Sequence, residues 1–188
     1  MSDNSTGTVT FLFTDIEGST ERWQRDELMS AALAAHDRTI RAAVERHGGI
    51  VFKHTGDGVC AVFVSAPSAV AAAVEAQAGL ELPVRMGLHT GEAESRDGDY
   101  FGPTLNRAAR VMDAGHGGQV LVSSATAGLV RDRELVDLGE HRLKGLETVE
   151  QILQVGVGEF PVLRTLRPVV GNLPVELSTF VGRMDELK

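Results

Sequence analysis

Val9, Phe11 and Phe13 alternate with Thr10, Leu12 and Thr14, and this two-residue period predicts a strand over residues 8–14. The period then lengthens. Met29, Leu33, His36, Ile40 and Val44 recur at spacings of three and four, which predicts one helix over 19–47 with a single buried stripe. Ser19 or Thr20 would cap it, and His47-Gly48-Gly49 would end it. The stretch "IVFKHTGDGVCAVFV" (50–64) reads as two strands joined by a tight turn at Gly56-Asp57-Gly58. Ser65 and Pro67 open an alanine-rich helix over 68–79. Next come a strand over 84–92, a polar loop over 93–99, a short helix over 103–113 and a strand over 119–123. A strand, a loop and a strand close the pattern over 134–155.

Helices and strands alternate unevenly, which argues against a fully parallel sheet. The expected class is α+β, a ferredoxin-like sandwich with helices packed on a mainly antiparallel sheet. No internal repeat is visible. Residues 1–7 are polar and are expected to be disordered, with one domain over 8–157. Residues 158–188 are proline-rich at first and without period, and read as a linker or tail. Their last stretch, "LPVELSTFVGRMDELK", begins to look like structure again, as the start of a further domain would.

Composition narrows the function. The chain has 188 residues, 43% hydrophobic and 23% charged, the profile of a globular protein with its own core. A formal charge of −8 with no Lys/Arg run disfavours nucleic acid as a partner. The lone Cys60 permits no internal disulfide and reads as a small core residue, which fits a reducing, cytoplasmic setting. No signal peptide or membrane-spanning stretch is expected.

The first strand ends in acid, Asp15 and Glu17. A second acidic residue, Asp57, tips the hairpin 50–64 between two glycines that let the backbone turn sharply and a ligand come close. Neither motif offers an obvious salt-bridge partner. Two carboxylates converging at one end of a sheet suit a divalent cation, since Mg²⁺ takes one or two carboxylates plus substrate phosphates. Taken singly, Asp15 reads as a helix cap and Asp57 as a turn residue.

Five blocks in order, "FLFTDIEGST", "KHTGDGV", "GLHTGE", "DYFGPTLNRAARV" and "LKG", resemble the signature of class III nucleotide cyclases, the adenylyl and guanylyl cyclase catalytic domain, over residues 8–155. The resemblance implies two divalent metal ions, Mg²⁺ or Mn²⁺, held by Asp15, Asp57 and the backbone carbonyl of Ile16. It implies that Lys53 contacts adenine N1 and that Asp99 receives the adenine amino group. Asn106 would orient the ribose, Arg110 would stabilise the transition state, and Lys144 would meet the triphosphate. It implies an ATP-consuming homodimer, head to tail, with two composite sites. The segment between Gly91 and Asp99 is shorter than the arm many family members carry, so the dimer arm departs from the pattern.

The residue types agree with these roles. Asn106 and Arg110 are four apart and share one helix face, while Leu105, Ala109 and Met112 are expected to pack inward. A lysine donor beside a carboxylate acceptor matches the adenine edge, and guanine offers the reverse pattern. Read alone, Arg110 is a solvated surface arginine and Lys53 a snorkelling edge-strand lysine. His36, His47, His54 and His89 read as structural, and no His/Cys spacing resembles a zinc site. The expected activity is conversion of ATP to 3′,5′-cyclic AMP. A weakly active or silent nucleotide-binding regulatory module stays open beside it, because "NLPVELSTFVGR" resembles the entry to ATPase domains of multidomain regulators. Guanylyl cyclase is the alternative within the enzyme class.

Overall fold

The computed structural model describes residues 5–25 and 28–166. The elements run β1 (Ser5–Ile16), α1 (Ser19–Arg25), α2 (Met29–Arg46), β2 (Ile50–Thr55), β3 (Gly58–Phe63), α3 (Ala66–Gly79), β4 (Val84–Arg96), β5 (Asp99–Phe101), α4 (Pro103–Ala114), β6 (Val120–Ser123), α5 (Ser124–Ala127), β7 (Leu135–His141) and β8 (Glu150–Val155). The strands form one sheet in the order β2-β3-β1-β4-β6-β8-β7, with β5 beside β4. All pairs are antiparallel except β4–β6. The expected α+β architecture is therefore the observed one.

Both faces of the sheet are covered. On one face Leu12 and Ile16 of β1 meet Met29, Ile40 and Val44 of α2 and the alanines of α3. Small side chains let α3 lie close: Ala69, Ala72, Ala73 and Ala76 are all buried. Ser65 caps α3 through its hydroxyl, with Pro67 in the first turn. On the other face Phe11 and Val62 meet Ala108 of α4 and Tyr100 of β5. The helical stripe of α2 is as predicted, with Met29, His36, Ile40 and Val44 buried and Leu33 packed at its edge.

The glycines of "GLHTG" seat α4. Gly87 and Gly91 lie four apart on β4, so they share a face. A methyl at Gly87 would overlap the backbone nitrogen of Met112, and one at Gly91 would stand 2.9 Å from the Thr104 hydroxyl. The helix thus runs antiparallel to β4 in close backbone contact, and its C-terminal end points toward Arg85.

Several boundaries differ from the sequence expectation. The strand expected over 8–14 runs over Ser5–Ile16, because β4 pairs with it residue by residue along that length. The single helix expected over 19–47 is two helices, α1 and α2. The polar stretch 93–99 is no loop: β4 continues to Arg96 and turns into β5 at Asp97-Gly98, both at positive φ (52° and 81°), as a two-residue hairpin turn requires. The inward stripe of α4 is Thr104, Ala108, Val111 and Met112, with Leu105 and Ala109 only half-buried.

Residues 158–166 cross the body as a strap. The Arg164 backbone donates to the Ala114 carbonyl, Leu163 packs on the cluster around Val111 and Ala114, and Arg164 pairs with Glu17. Leu166 bridges to Arg142. The part of the tail expected to begin another domain, residues 173–188, lies outside the described residues.

Candidate active site

β1 delivers Asp15 to the sheet edge beside the β2–β3 turn. Its pairing with β3 runs to Phe13–Cys60 and continues through the Thr14 hydroxyl, which accepts from the Val59 backbone at 3.0 Å. At the turn the backbone of Gly58 is pressed on β1: a methyl there would stand 2.6 Å from the Thr14 carbonyl. That contact requires glycine and brings Asp57 next to the end of β1. One carboxylate oxygen of Asp57, Oδ2, is buried and has no hydrogen-bond partner among the described residues. A buried acceptor without a donor is costly unless something electropositive meets it. This is the observation that fits a cation. Ile16 is buried and continues the β1–β4 pairing opposite Val84. Among the described residues no group of three or more His, Cys, Asp or Glu gathers to hold a metal unaided. Asp15 and Asp57 therefore fit a cation that also takes oxygens from a substrate.

The sequence reading missed the salt-bridge partner of Asp15. Arg85 lies directly opposite it in the β1–β4 register, and its Nε and Nη2 both donate to Asp15 Oδ2, at 2.9 and 2.6 Å. The same guanidinium donates to the Asp113 carbonyl at 3.4 Å and lies 3.9 Å from Asp113 Oδ1. Asp113 Oδ2 in turn accepts from Arg110 at 3.0 Å. A chain of alternating charge thus runs from Asp15 through Arg85 and Asp113 to Arg110. Only a known β1–β4 register would reveal it, since Asp15 and Arg85 are 70 residues apart.

At the other end of the site, Lys53 Nζ and Asp99 Oδ2 stand 3.8 Å apart, with side chains 55% and 40% exposed. Two irregularities bring them together. A bulge at Phe52 shifts the β2–β3 register so that Lys53 pairs with Cys60. Phe52 and Lys53 therefore lie on one face, where strict alternation would send Lys53 to the opposite one. The β4–β5 hairpin curls over that face, and Tyr100 packs at 5.5 Å from Phe11 and 5.1 Å from Phe52, ring centre to ring centre. Asp99 is steadied by the Tyr100 backbone N–H.

Cys60 beneath this pair is buried, and desolvation pushes its thiol up to about 11, against the lowering influence of Lys53. Asn106 is exposed on α4, one turn before Arg110. Lys144 is exposed in the turn after Leu143, and among the described residues no hydrogen bond or ion pair involves it. Within one subunit Asp15 is thus linked through Arg85 and Asp113 to Arg110, and Lys53 stands beside Asp99.

His89, as expected, is structural. It is buried, with Nδ1 bonded to the Ser123 hydroxyl at 2.7 Å, and desolvation, with Arg107 nearby, lowers its pKa to about 4. A cavity of about 620 Å³ lies away from the site, between β7, β8 and the strap. Of its polar wall residues, Gln119, Gln154 and His141 are already hydrogen-bonded within the protein, and Glu159 is the fourth.

The family described as "Adenylate and Guanylate cyclase catalytic domain" matches residues 66–155. An uncharacterised protein of Mycobacterium tuberculosis is 44% identical over 97% of this chain and 69% of its own length. An adenylate cyclase of Mycosarcoma maydis is 30% identical, across 78% of this chain but 9% of that protein. The solved structure of an adenylate cyclase from Trypanosoma brucei in its monomeric state superposes with a TM-score of 0.78 at 28% identity, over 86% of this chain and 96% of that one. Among the described residues no helix is long and apolar enough to cross a membrane. The chain belongs to the class III adenylyl and guanylyl cyclase catalytic domain family.

Proposed function

We propose that the protein is an adenylyl cyclase that converts ATP to 3′,5′-cyclic AMP and pyrophosphate at two composite sites of a head-to-tail homodimer. The observation that carries the reading is the Lys53–Asp99 pair, a donor and an acceptor 3.8 Å apart on an accessible face. Adenine offers an acceptor at N1 and a donor at N6, so both groups are satisfied. Guanine would leave both unpaired, a mismatch that discriminates strongly in a desolvated site.

In this reading Asp15, the Ile16 carbonyl and Asp57 hold two divalent cations, Mg²⁺ or Mn²⁺. Bound there, such cations supply Lewis-acid activation of the ribose 3′-hydroxyl and neutralise triphosphate charge. The 3′-oxygen forms a bond to the α-phosphorus, the bond to the β-phosphate oxygen breaks, and the hydroxyl proton passes to water. Asn106 orients the ribose, Arg110 meets charge developing on the α-phosphate, and Lys144 binds the leaving pyrophosphate. Asp99 and Lys53 fix the base, and Arg110 and Asn106 reach the sugar and phosphate from the same helix face.

A silent regulatory module is the second reading, favoured by the Arg85 guanidinium that already neutralises Asp15. Cyclic nucleotide formation by the purified protein at micromolar concentration separates the two. ATP and GTP are tested separately, each with Mg²⁺ and with Mn²⁺. Cyclic AMP from ATP alone, lost in Asp57→Ala, is the expected result. No product from either nucleotide, in a sample shown to be dimeric, overturns the enzyme reading.

A further inference from the structure

We propose that the ion pair of Arg107 and Glu150 positions Lys144 against Asn106 and Arg110, an inference that rests on the cyclase reading above. Arg107 lies on α4 next to Asn106, and Glu150 is the first residue of β8. Arg107 Nε and Glu150 Oε2 stand 3.3 Å apart, and the Glu150 side chain is only 8% exposed. Glu150 shares a face of β8 with Ile152, which is buried in one cluster with Val111 and Ala114 of α4. The pair therefore joins β8 to the helix that carries Asn106 and Arg110.

Lys144 sits in the connection that Glu150 closes. Residues 142–149 join β7 to β8, and His141 pairs with Glu150 across the base of that connection. Leu143, one residue before Lys144, is buried in the same cluster as Val111 and Ala114. The Leu146 N–H closes the turn by donating to the Leu143 carbonyl at 3.2 Å. The connection is thus fastened to α4 twice, by an apolar contact at Leu143 and by a charge pair at Glu150. Burial pushes the Glu150 carboxyl up, and Arg107 and a hydrogen bond from Ser124 oppose that shift. Taking a carboxylate out of water is costly, and well-packed apolar side chains commonly join two elements at least as firmly. Stability alone therefore does not call for this pair. What it adds is direction, since a charged contact holds one register where an apolar one can slide.

The test removes direction and keeps cohesion. In the full chain, Arg107→Met combined with Glu150→Leu exchanges the ion pair for apolar side chains, so Tm should stay within about 3 °C of the parent. The kcat with ATP should nevertheless fall about 10–100-fold, with KM changed by less than about threefold, because Lys144 no longer meets the leaving pyrophosphate squarely. The loss should also run through Lys144. Lys144→Ala lowers kcat by itself, and adding the Arg107 and Glu150 exchanges to it should cost less than about threefold more. Where the paired exchange does not fold, Glu150→Gln, which keeps the shape and removes the charge, decides by the same two criteria with a loss of about threefold to tenfold. A folded variant with parental kcat overturns the proposal, and so does a loss that multiplies in full with that of Lys144→Ala. Failure of the cyclase reading shows separately, because the parent protein itself would then make no cyclic nucleotide.

Discussion

The two ends of the site are built differently. At the Asp15 end, the carboxylate and Arg85 are mostly buried, strand pairing holds both, and a chain of four charged groups fixes their directions. At the Lys53 end, two half-exposed side chains meet at 3.8 Å on a bulge and a curled hairpin. An exposed pair of that kind contributes at most about 1 kcal/mol to stability. The end assigned to bond-making is rigid and internally braced. The end assigned to choosing the base is loosely held, so it exchanges its partner for a nucleobase at little cost. Such a division leaves specificity easier to change than catalysis.

The sharpest way to break this comparison is to disable each end in a different chain. Asp57→Ala and Lys53→Ala should each be inactive alone, down by about 1000-fold. Mixed, they should regain up to about a quarter of parental activity, as one intact composite site per mixed dimer predicts. Absence of recovery in a mixture shown to contain heterodimers would mean that both ends serve one site within a subunit. Next in size is the base swap. Lys53→Glu with Asp99→Ala should shift the ATP-to-GTP ratio of kcat/KM by at least about 100-fold, with Mn²⁺ binding little changed. A fall for both nucleotides without a change in ratio would show that the soft end does more than read the base.

Smaller effects sharpen the rigid end. Gly87→Ala pushes α4 off β4 and should destabilise the protein by about 2 kcal/mol or more, read as a fall in Tm. Lastly, His89 is buried on β4 with its pKa lowered to about 4. The unfolded chain takes up this proton near 6.5 and the folded one does not, so folding stability should be full above pH 6.5 and decline toward pH 4. The His89 share of that loss is at most about 3 kcal/mol. His89→Gln should flatten the denaturant midpoint over this range, and an unflattened curve would assign the acid sensitivity elsewhere.

What the sequence discloses follows the range of the interactions. The hairpin around Asp57 was legible because its signal is local, two apolar runs around Gly-Asp-Gly. So was the buried stripe of α2, and so was the acidic end of β1. The β4–β5 hairpin was also written locally, in Asp97-Gly98, but the charged residues of 94–97 masked it, since they pair along a strand without alternating in polarity. The bulge at Phe52 left only a faint sign, Phe and Lys adjacent where alternation would separate them. Arg85 had no local sign at all. Its meaning depends on a register with a strand 70 residues away, and no window along the chain contains both partners.

The strap over residues 158–166 bears on where the protein can be cut. It ties the Ala114 carbonyl, the His116 ring and Glu17, two residues beyond Asp15, to one short segment. A recombinant version trimmed after Val157 would keep every strand and helix and yet leave Glu17 without its arginine and Val111 and Ala114 without the cover of Leu163. Fragments meant for crystallisation or enzymology should therefore run past Leu166.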